Sequence, residues 1–165
     1  MKKKYNIKDH KGFSLIEMMV VVVILGLIVL GLVTFFTGGA KSWVAGQSQL
    51  EAQRNARQAI DQMVREIREG DSIASGSNDT SITINYPASF GKSSVTYSLS
   101  SSGTTINRGL IPLINNVETL NFSYPDAPID SSKVHILLEV DVDNDGKPDI
   151  TLNTDVNLRN FGLGT

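Results

Sequence analysis

The sequence predicts an α+β protein in which a long N-terminal helix packs on a C-terminal antiparallel β-sheet head. Three observations lead to this prediction. Residues 18–36 form an apolar run, residues 42–68 space their apolar side chains as a helix does, and from residue 71 short runs alternate apolar and polar residues. Helical spacing buries one stripe of a helix and alternation buries one face of a sheet, so the two surfaces are complementary.

The charge of the chain is distributed unevenly along four expected segments. These are a leader at 1–12, a hydrophobic helix at 13–41, an amphipathic helix at 42–70 and a β-rich head at 71–165. The leader carries five lysines against one aspartate, whereas the rest holds ten basic and sixteen acidic residues. Positive charge before an apolar span keeps that end cytoplasmic, which predicts a single-pass membrane protein with its head outside the cytoplasm. The acidic remainder argues against direct nucleic-acid binding.

The apolar run is long enough to cross a membrane, but it begins with an acid. At 1.5 Å per residue, a helix over 18–36 nearly spans a hydrocarbon core of about 30 Å. Glu17 stands at its head, and an ionised side chain in a bilayer costs roughly 2.5–3.5 kcal/mol, so it needs a specific partner. A secretory signal cut near residues 37–40 is one alternative, although its apolar region exceeds the usual length. A simple anchor is another, and it leaves Glu17 unexplained.

Residues 12–17 read Gly-Phe-Ser-Leu-Ile-Glu, and the aliphatic run follows directly. This segment resembles the N-terminal signal of type IV prepilins and type II secretion pseudopilins. The resemblance implies cleavage between Gly12 and Phe13 by a prepilin peptidase and N-methylation of Phe13. It implies that Glu17 pairs with the new N-terminal ammonium of a neighbouring subunit during assembly into a filament. Expected partners are other pilin or pseudopilin subunits, the peptidase, an inner-membrane assembly platform and membrane lipid.

Features of the remaining chain bear on the kind of subunit. The sequence has no cysteine. Many major pilins of the family that it resembles have a disulfide, so this absence favours a pseudopilin or minor pilin. Residues 151–160 resemble the closing strand of minor pilins related to the J-type pseudopilin. Two alternatives stay open: a membrane-anchored calcium-dependent binding module, and a DNA-uptake pseudopilin of the competence type. Four basic residues of the head are too scattered in sequence to predict a nucleic-acid patch, namely Lys92, Arg108, Lys133 and Arg159.

The amphipathic segment predicts one buried helical stripe. Its interspersed arginines and acids predict a solvated face, and Gly70 is expected to end the helix. The predicted stripe consists of Trp43, Gly46, Leu50, Ala56, Ile60, Met63, Val64 and Ile67.

Alternation after residue 71 predicts six antiparallel strands, at 81–86, 94–99, 104–108, 117–124, 133–142 and 149–160. Residues 100–103 predict a hairpin turn, and residues 124–132 predict a longer loop. The side chains expected to face inward are Ile82, Ile84, Tyr86, Val95, Tyr97, Leu99, Ile106, Leu120, Phe122, Tyr124, Val134, Ile136, Leu138, Val140, Val142, Ile150, Leu152, Val156 and Leu158.

A second motif lies at residues 141–149, Asp-Val-Asp-Asn-Asp-Gly-Lys-Pro-Asp. Carboxylates at loop positions 1, 3, 5 and 9 with glycine at 6 resemble a calcium-binding loop, in which Asp141, Asp143, Asp145, the Lys147 carbonyl and Asp149 would bind Ca²⁺. The motif departs from that pattern at position 12, where Leu152 replaces a bidentate glutamate, so we expect a weak site with Kd of about 10⁻⁴–10⁻³ M. The alternative is a hairpin with Asx turns and no ion.

The sequence contains no catalytic motif from which an enzyme would be predicted. One of the two histidines lies in the leader, and His135 is expected on the outer face of a strand. No Ser-His-Asp set, phosphate-binding loop or dinucleotide fingerprint occurs in the sequence. The predicted role is therefore structural.

Overall fold

The computed structural model describes residues 12–162, and it confirms the α+β architecture. One helix, α1, spans Leu15–Glu69 and is followed by eight strands and two short 3-10 helices. The strands are β1 Ser72–Ile73, β2 Ser81–Asn85, β3 Val95–Leu99, β4 Thr105–Arg108, β5 Ile111–Asn115, β6 Val117–Ser123, β7 Lys133–Val140 and β8 Ile150–Asn157. The 3-10 helices are Ala88–Phe90 and Pro128–Asp130.

The chain divides into two compact units, one ending at Ala45 and the other beginning at Gly46. In the first unit the large apolar side chains of α1 are all exposed, from Leu15 to Val44. Among residues 12–162, α1 is long and apolar enough to cross a membrane, judged by length and composition. Its two threonines suit such a medium, because Thr34 and Thr37 donate their hydroxyl hydrogens to carbonyls one turn earlier.

In the second unit, α1 buries one stripe against the head, and the stripe is shorter than predicted. Trp43 and Leu50 are 70% and 62% exposed, so the prediction that they belong to the buried stripe is wrong. Trp43 belongs to the first unit, and Leu50 precedes Ala52, the first helical side chain that packs against the core. The buried stripe is Ala56, Ala59, Ile60, Met63 and Ile67.

Two antiparallel sheets make up the head. The larger has the strand order β1-β2-β3-β4-β5, and the smaller has the order β6-β7-β8. Along β7 every second side chain is buried, as the alternation predicted. The β7–β8 pair runs in register from Lys133 opposite Asn157 to Val140 opposite Ile150. Inward side chains of both sheets and the α1 stripe form a single core.

Strand boundaries differ from the prediction at several places. Two strands were not predicted: β1, which has two residues, and β5, whose Pro112 interrupts a simple alternation. Proline is tolerated there because β5 is an edge strand, beside a bulge at Ile106/Asn107 in β4. The predicted strand 133–142 ends earlier, at Val140, and 149–160 shortens to Ile150–Asn157. The residues beyond these strand ends form hydrogen bonds in loops, and these bonds replace the pairing between strands.

The C-terminus of α1 is closed by a distant segment. Arg159 N donates to Arg68 O at 3.0 Å, and Asn160 Nδ2 donates to Glu69 O at 2.9 Å. These bonds satisfy two of the carbonyls that a helix end leaves without a partner. Gly70 follows at a point of close approach, since a Cβ there would lie 2.6 Å from Ile84 Cγ2. Gly70 therefore ends the helix as predicted, but through packing against β2 rather than a left-handed cap.

Candidate functional site

The N-terminal candidate site consists of Gly12, Phe13 and Glu17. Residues 12–14 precede the helix, and Met18 N donates to Ser14 O at 3.2 Å as its first turn forms. The Phe13 side chain is 78% exposed, and no atom lies within 4 Å of the position of a Cβ on Gly12. The Gly12–Phe13 bond thus lies outside the helix, in an exposed segment. The rest of the predicted leader, residues 1–11, lies outside the described residues.

Glu17 is the acid in the first turn of α1. Helix N-termini favour negative charge by about 0.3–1 kcal/mol through unpaired N–H groups. That gain is smaller than the roughly 2.5–3.5 kcal/mol cost of an ionised side chain in a membrane. Within residues 12–162, no cationic side chain pairs with Glu17. A counter-charge must therefore come from outside this part of the chain.

The second candidate site is the loop between β7 and β8. Carboxylate oxygens of Asp141, Asp143 and Asp149 lie within 4.8 Å of one another. Positive φ angles at Asn144 (58°) and Gly146 (79°) fold the loop back on itself, and glycine tolerates such an angle without strain. The structure brings together three of the four predicted carboxylates, and Asp145 is not in this cluster.

Backbone N–H groups of this loop donate hydrogen bonds to its carboxylates. Asp141 accepts from Asn144 N at 2.8 Å and from Gly146 N at 2.9 Å, while Asp149 accepts from Val142 N at 2.8 Å. Desolvation raises the pKa of Asp141, but the backbone N–H bonds outweigh it and lower the pKa overall. Desolvation, followed by repulsion from neighbouring carboxylates, raises the pKa of Asp143.

The donor set fits a hard divalent cation in part. Three carboxylates lie at close range, and one of them has a raised pKa. A Ca²⁺ ion among them would stabilise their charged forms. Asp145 accepts from Lys147 N at 2.9 Å, which is the Asx-turn arrangement of the alternative interpretation. The loop therefore combines both predicted arrangements, three clustered carboxylates and a self-supporting turn.

A polar cluster that the sequence did not predict joins α1 to the larger sheet. Glu66 accepts from the Tyr97 hydroxyl at 2.7 Å and from Arg108 Nε at 3.1 Å, and Arg108 Nη2 lies 3.0 Å from its Oε1. Burial first, and then the bond to Glu66, raises the pKa of Tyr97 well above its usual value. Tyr97 and Arg108 lie 31 and 42 positions after Glu66 in the sequence. The only signal in the sequence is therefore the face of its own helix or strand on which each residue lies.

Three of the four scattered basic residues have carboxylate partners. Lys92 pairs with Glu69, Arg108 pairs with Glu66, and Lys133 lies 2.7 Å from Asp155. Asp155 also lies 2.7 Å from His135 Nδ1, on the outer face of β7 and β8 as predicted for this histidine. Hydrogen bonds from Lys133 and His135 lower the pKa of Asp155. The pairs of Lys92 and Lys133 are exposed, whereas the Arg108–Glu66 pair is partly buried.

Comparison with known families identifies one feature of the chain. The prokaryotic N-terminal methylation motif matches residues 7–33, which include Gly12, Phe13 and Glu17. Comparison with curated proteins and with solved structures yields no significant match. The motif supports the predicted resemblance to pilins and pseudopilins, and it covers the membrane half of the helix rather than the head.

Proposed function

We propose that this chain, a type IV pilin-like protein by its N-terminal methylation motif, is a minor pilin or pseudopilin that assembles into a filament through its N-terminal helix. Its work is structural. A prepilin peptidase cuts between Gly12 and Phe13 on the cytoplasmic side, and Phe13 becomes the methylated first residue. The uncut chain waits in the cytoplasmic membrane with its head outside the cytoplasm, and after assembly the head lies on the surface of a filament.

The observation that carries this proposal is the uncompensated carboxylate of Glu17. Within the described residues it has no cationic partner, and it stands at the start of an exposed apolar helix. Cleavage creates an α-ammonium four residues away, at a similar depth in the membrane. Each charge then offsets the desolvation of the other, in the same chain or between neighbours.

The exposed apolar surface of α1 supplies the second part of the mechanism. From Leu15 to Leu50 its large side chains stay uncovered, so they need lipid before assembly and other helices after it. Transfer from lipid to a helical bundle loses no apolar contact, because both surroundings are apolar. The Glu17–ammonium pair is then the interaction that favours the bundle. The platform that lifts the subunit is expected to act at this step.

Features of the head favour a minor subunit or pseudopilin within this class. The chain has no cysteine to staple a C-terminal loop, and its last strand, β8, closes the smaller sheet beside β7. This order is consistent with the J-type relation that the sequence suggested. A competence pseudopilin and a calcium-dependent binding module remain the alternatives, and three of the four scattered basic residues of the head, Lys92, Arg108 and Lys133, pair with carboxylates.

We further propose that the β7–β8 loop binds Ca²⁺ as a structural ion. Asp141, Asp143 and Asp149 would supply carboxylate oxygens, and backbone hydrogen bonds to Asp141 support the turn that carries them. Calcium would remove the repulsion that raises the pKa of Asp143 and would stiffen the connection between the last two strands. The role is stability of the head rather than catalysis.

A single substitution tests the assembly proposal. Glu17→Gln keeps size and hydrogen bonding but removes the charge, so we expect incorporation into sheared filaments to fall at least about tenfold, while peptidase cleavage continues. The matched control is Asp130→Asn, an exposed acid of the 3-10 helix Pro128–Asp130. Equal incorporation of Glu17→Gln and the parent chain would contradict the proposal.

A further inference from the structure

A groove of about 560 Å³ lies where the end of α1 meets the C-terminal segment. Arg65 and Arg68 of the helix and Arg159 after β8 stand around it, with Val64 and Phe90 as apolar lining. Phe90 is 47% exposed. We define these five residues as the arginine groove. The backbone bond from Arg159 N to Arg68 O, 3.0 Å long, fixes the two arginines side by side.

The arginines of this groove differ from the other basic residues of the head. Lys92, Arg108 and Lys133 each pair with a carboxylate, but within residues 12–162 the three guanidinium groups here form no hydrogen bond or ion pair. Two acids also line the groove, and one of them, Glu69, already pairs with Lys92. The groove therefore presents an excess of positive charge in forks that fit carboxylates.

The opposite end of the head is acidic. Val117 and Ile150 both pair with Val140, so the starts of β6 and β8 meet the end of β7 there. A shallow groove at this end is lined by Glu51 and by Val140. We define the acidic end by its seven carboxylates, and Lys147 is the one lysine of the loop that carries four of them. They belong to Glu51, Glu118, Glu139, Asp141, Asp143, Asp145 and Asp149.

The two charged regions lie at opposite ends of the same ribbon. Lys133 pairs with Asn157 at the end near Arg159, and Val140 pairs with Ile150 at the end that carries the acidic loop. At about 3.3 Å per residue, the eight residues of β7 separate these ends by roughly 25 Å. This separation prevents the loop from reaching the arginine groove of its own chain. A second copy has no such restriction.

We propose that the acidic end of one copy of this chain docks in the arginine groove of the next copy. This inference rests on the proposed filament role, and on copies of this chain being neighbours in the filament, since such a contact joins different surfaces of identical subunits. Contacts of that kind build open helical assemblies when the rotation does not close a ring. The bidentate forks of Arg68 and Arg159 bind carboxylates, and Phe90 packs under the carbon chains that carry them.

A calcium ion in the loop is compatible with this contact. It would compensate the cluster of Asp141, Asp143 and Asp149. Asp145 lies outside that cluster, and Glu51, Glu118 and Glu139 lie on neighbouring elements. With the ion bound, the acidic end keeps a net negative charge and a more rigid loop. We therefore expect calcium to strengthen the contact by ordering the loop.

Cysteine cross-linking in cells tests the contact directly, because the native sequence has no cysteine. Lys147→Cys marks the acidic end and Phe90→Cys marks the groove, both at exposed positions. With both substitutions in the full-length chain, a short bis-maleimide is expected to give a ladder of dimers and longer species. The control combines Lys147→Cys with Ser101→Cys in the exposed β3–β4 turn, and it should remain monomeric.

Charge exchange gives an independent measurement. Arg68→Glu with Arg159→Glu, or Glu118→Lys with Asp145→Lys, should each lower incorporation into filaments at least about tenfold, because like charges then meet. All four substitutions together should restore incorporation to within about threefold of the parent.

The outcomes separate this inference from the function on which it rests. If the parent chain enters filaments but gives no ladder above the control, and the combined charge exchange does not restore incorporation, the docking contact is wrong and the filament role stands. If the parent chain is absent from filaments, both fail. A ladder in cells whose Glu17→Gln variant also assembles would support the contact and contradict the proposed mechanism of assembly.

Discussion

Glu66 should be the most sensitive polar residue of the head. Its side chain is 17% exposed and accepts hydrogen bonds from the buried hydroxyl of Tyr97 and from Arg108. Replacing it by alanine leaves the Tyr97 hydroxyl without a hydrogen-bond acceptor in the core, because Tyr97 itself has no exposed surface. Arg108 is 36% exposed and can turn to water.

The expected cost follows from these two contacts. A hydrogen bond to a charged group contributes about 1.5–3 kcal/mol, and the Arg108 pair, being partly exposed, adds about 0.5–1 kcal/mol. Glu66→Ala should therefore destabilise the head by roughly 2–4 kcal/mol. Glu66→Gln keeps an acceptor for Tyr97 and should cost about 1 kcal/mol. In the double variant with Tyr97→Phe, the orphaned hydroxyl is gone, so the combined cost should be less than additive.

Hydrogen exchange of the full-length chain in detergent measures this change where it acts. Trp43 lies in the unit that ends at Ala45, so its fluorescence does not report on the head. We expect amides of β3 and β4 to exchange about 30-fold faster or more in Glu66→Ala, since 1.4 kcal/mol is tenfold in an equilibrium. Exchange of the 15–36 amides is the internal control. A change below about threefold in β3 and β4 would refute the reasoning.

Three further predictions concern the rest of the head. Gly70→Ala should cost about 1–3 kcal/mol in chemical unfolding, because its Cβ would meet Ile84 Cγ2 at 2.6 Å, whereas Gly76→Ala, with nothing within 4 Å, should change little. At 10 mM, Ca²⁺ should stabilise the head by about 1.4–2.7 kcal/mol relative to EDTA in thermal melts, and Asp143→Asn should remove this gain; an unchanged midpoint contradicts the calcium site. Burial, then nearby carboxylates, raise the pKa of Tyr86 to about 12. Below pH 10 its contribution to stability is complete, and it should be lost as the pH rises from 10 to 12, which absorbance titration of phenolate will measure.

Local patterns in the sequence were sufficient for the architecture and most of the core. Strict alternation in β7 predicted every buried position, because a pleated strand leaves no other face for apolar side chains. The stripe of α1 was predicted too long at its start, since periodicity shows which face is apolar but not how far the sheets extend along it. Ala59 was not included in the predicted stripe, although it is buried beside Ala56 and Ile60. Edge strand β5 was missed because Pro112 interrupts the alternation.

The candidate sites also differ in how far the sequence predicts them: sites of contiguous residues were predicted, and sites of distant residues were not. Gly12, Phe13 and Glu17 are contiguous in sequence, so their pattern was readable directly, and the methylation motif matches the same segment. The loop at 141–149 is also local, but whether Asp145 joins the cluster depended on backbone bonds that residue types do not determine. The Glu66 cluster and the arginine groove join residues from distant parts of the chain. Such sites can be predicted only when the register of the strands is known.

The mass of the N-terminal peptide of the protein extracted from its native membrane tests the central claim most directly. The account predicts a chain that begins at Phe13 and carries one methyl group on its α-nitrogen, with Glu17 as its fifth residue. A chain that begins at Met1, or one cut within residues 37–40, would contradict it. In either case no ammonium would be created beside Glu17, and the assembly mechanism would have no counter-charge.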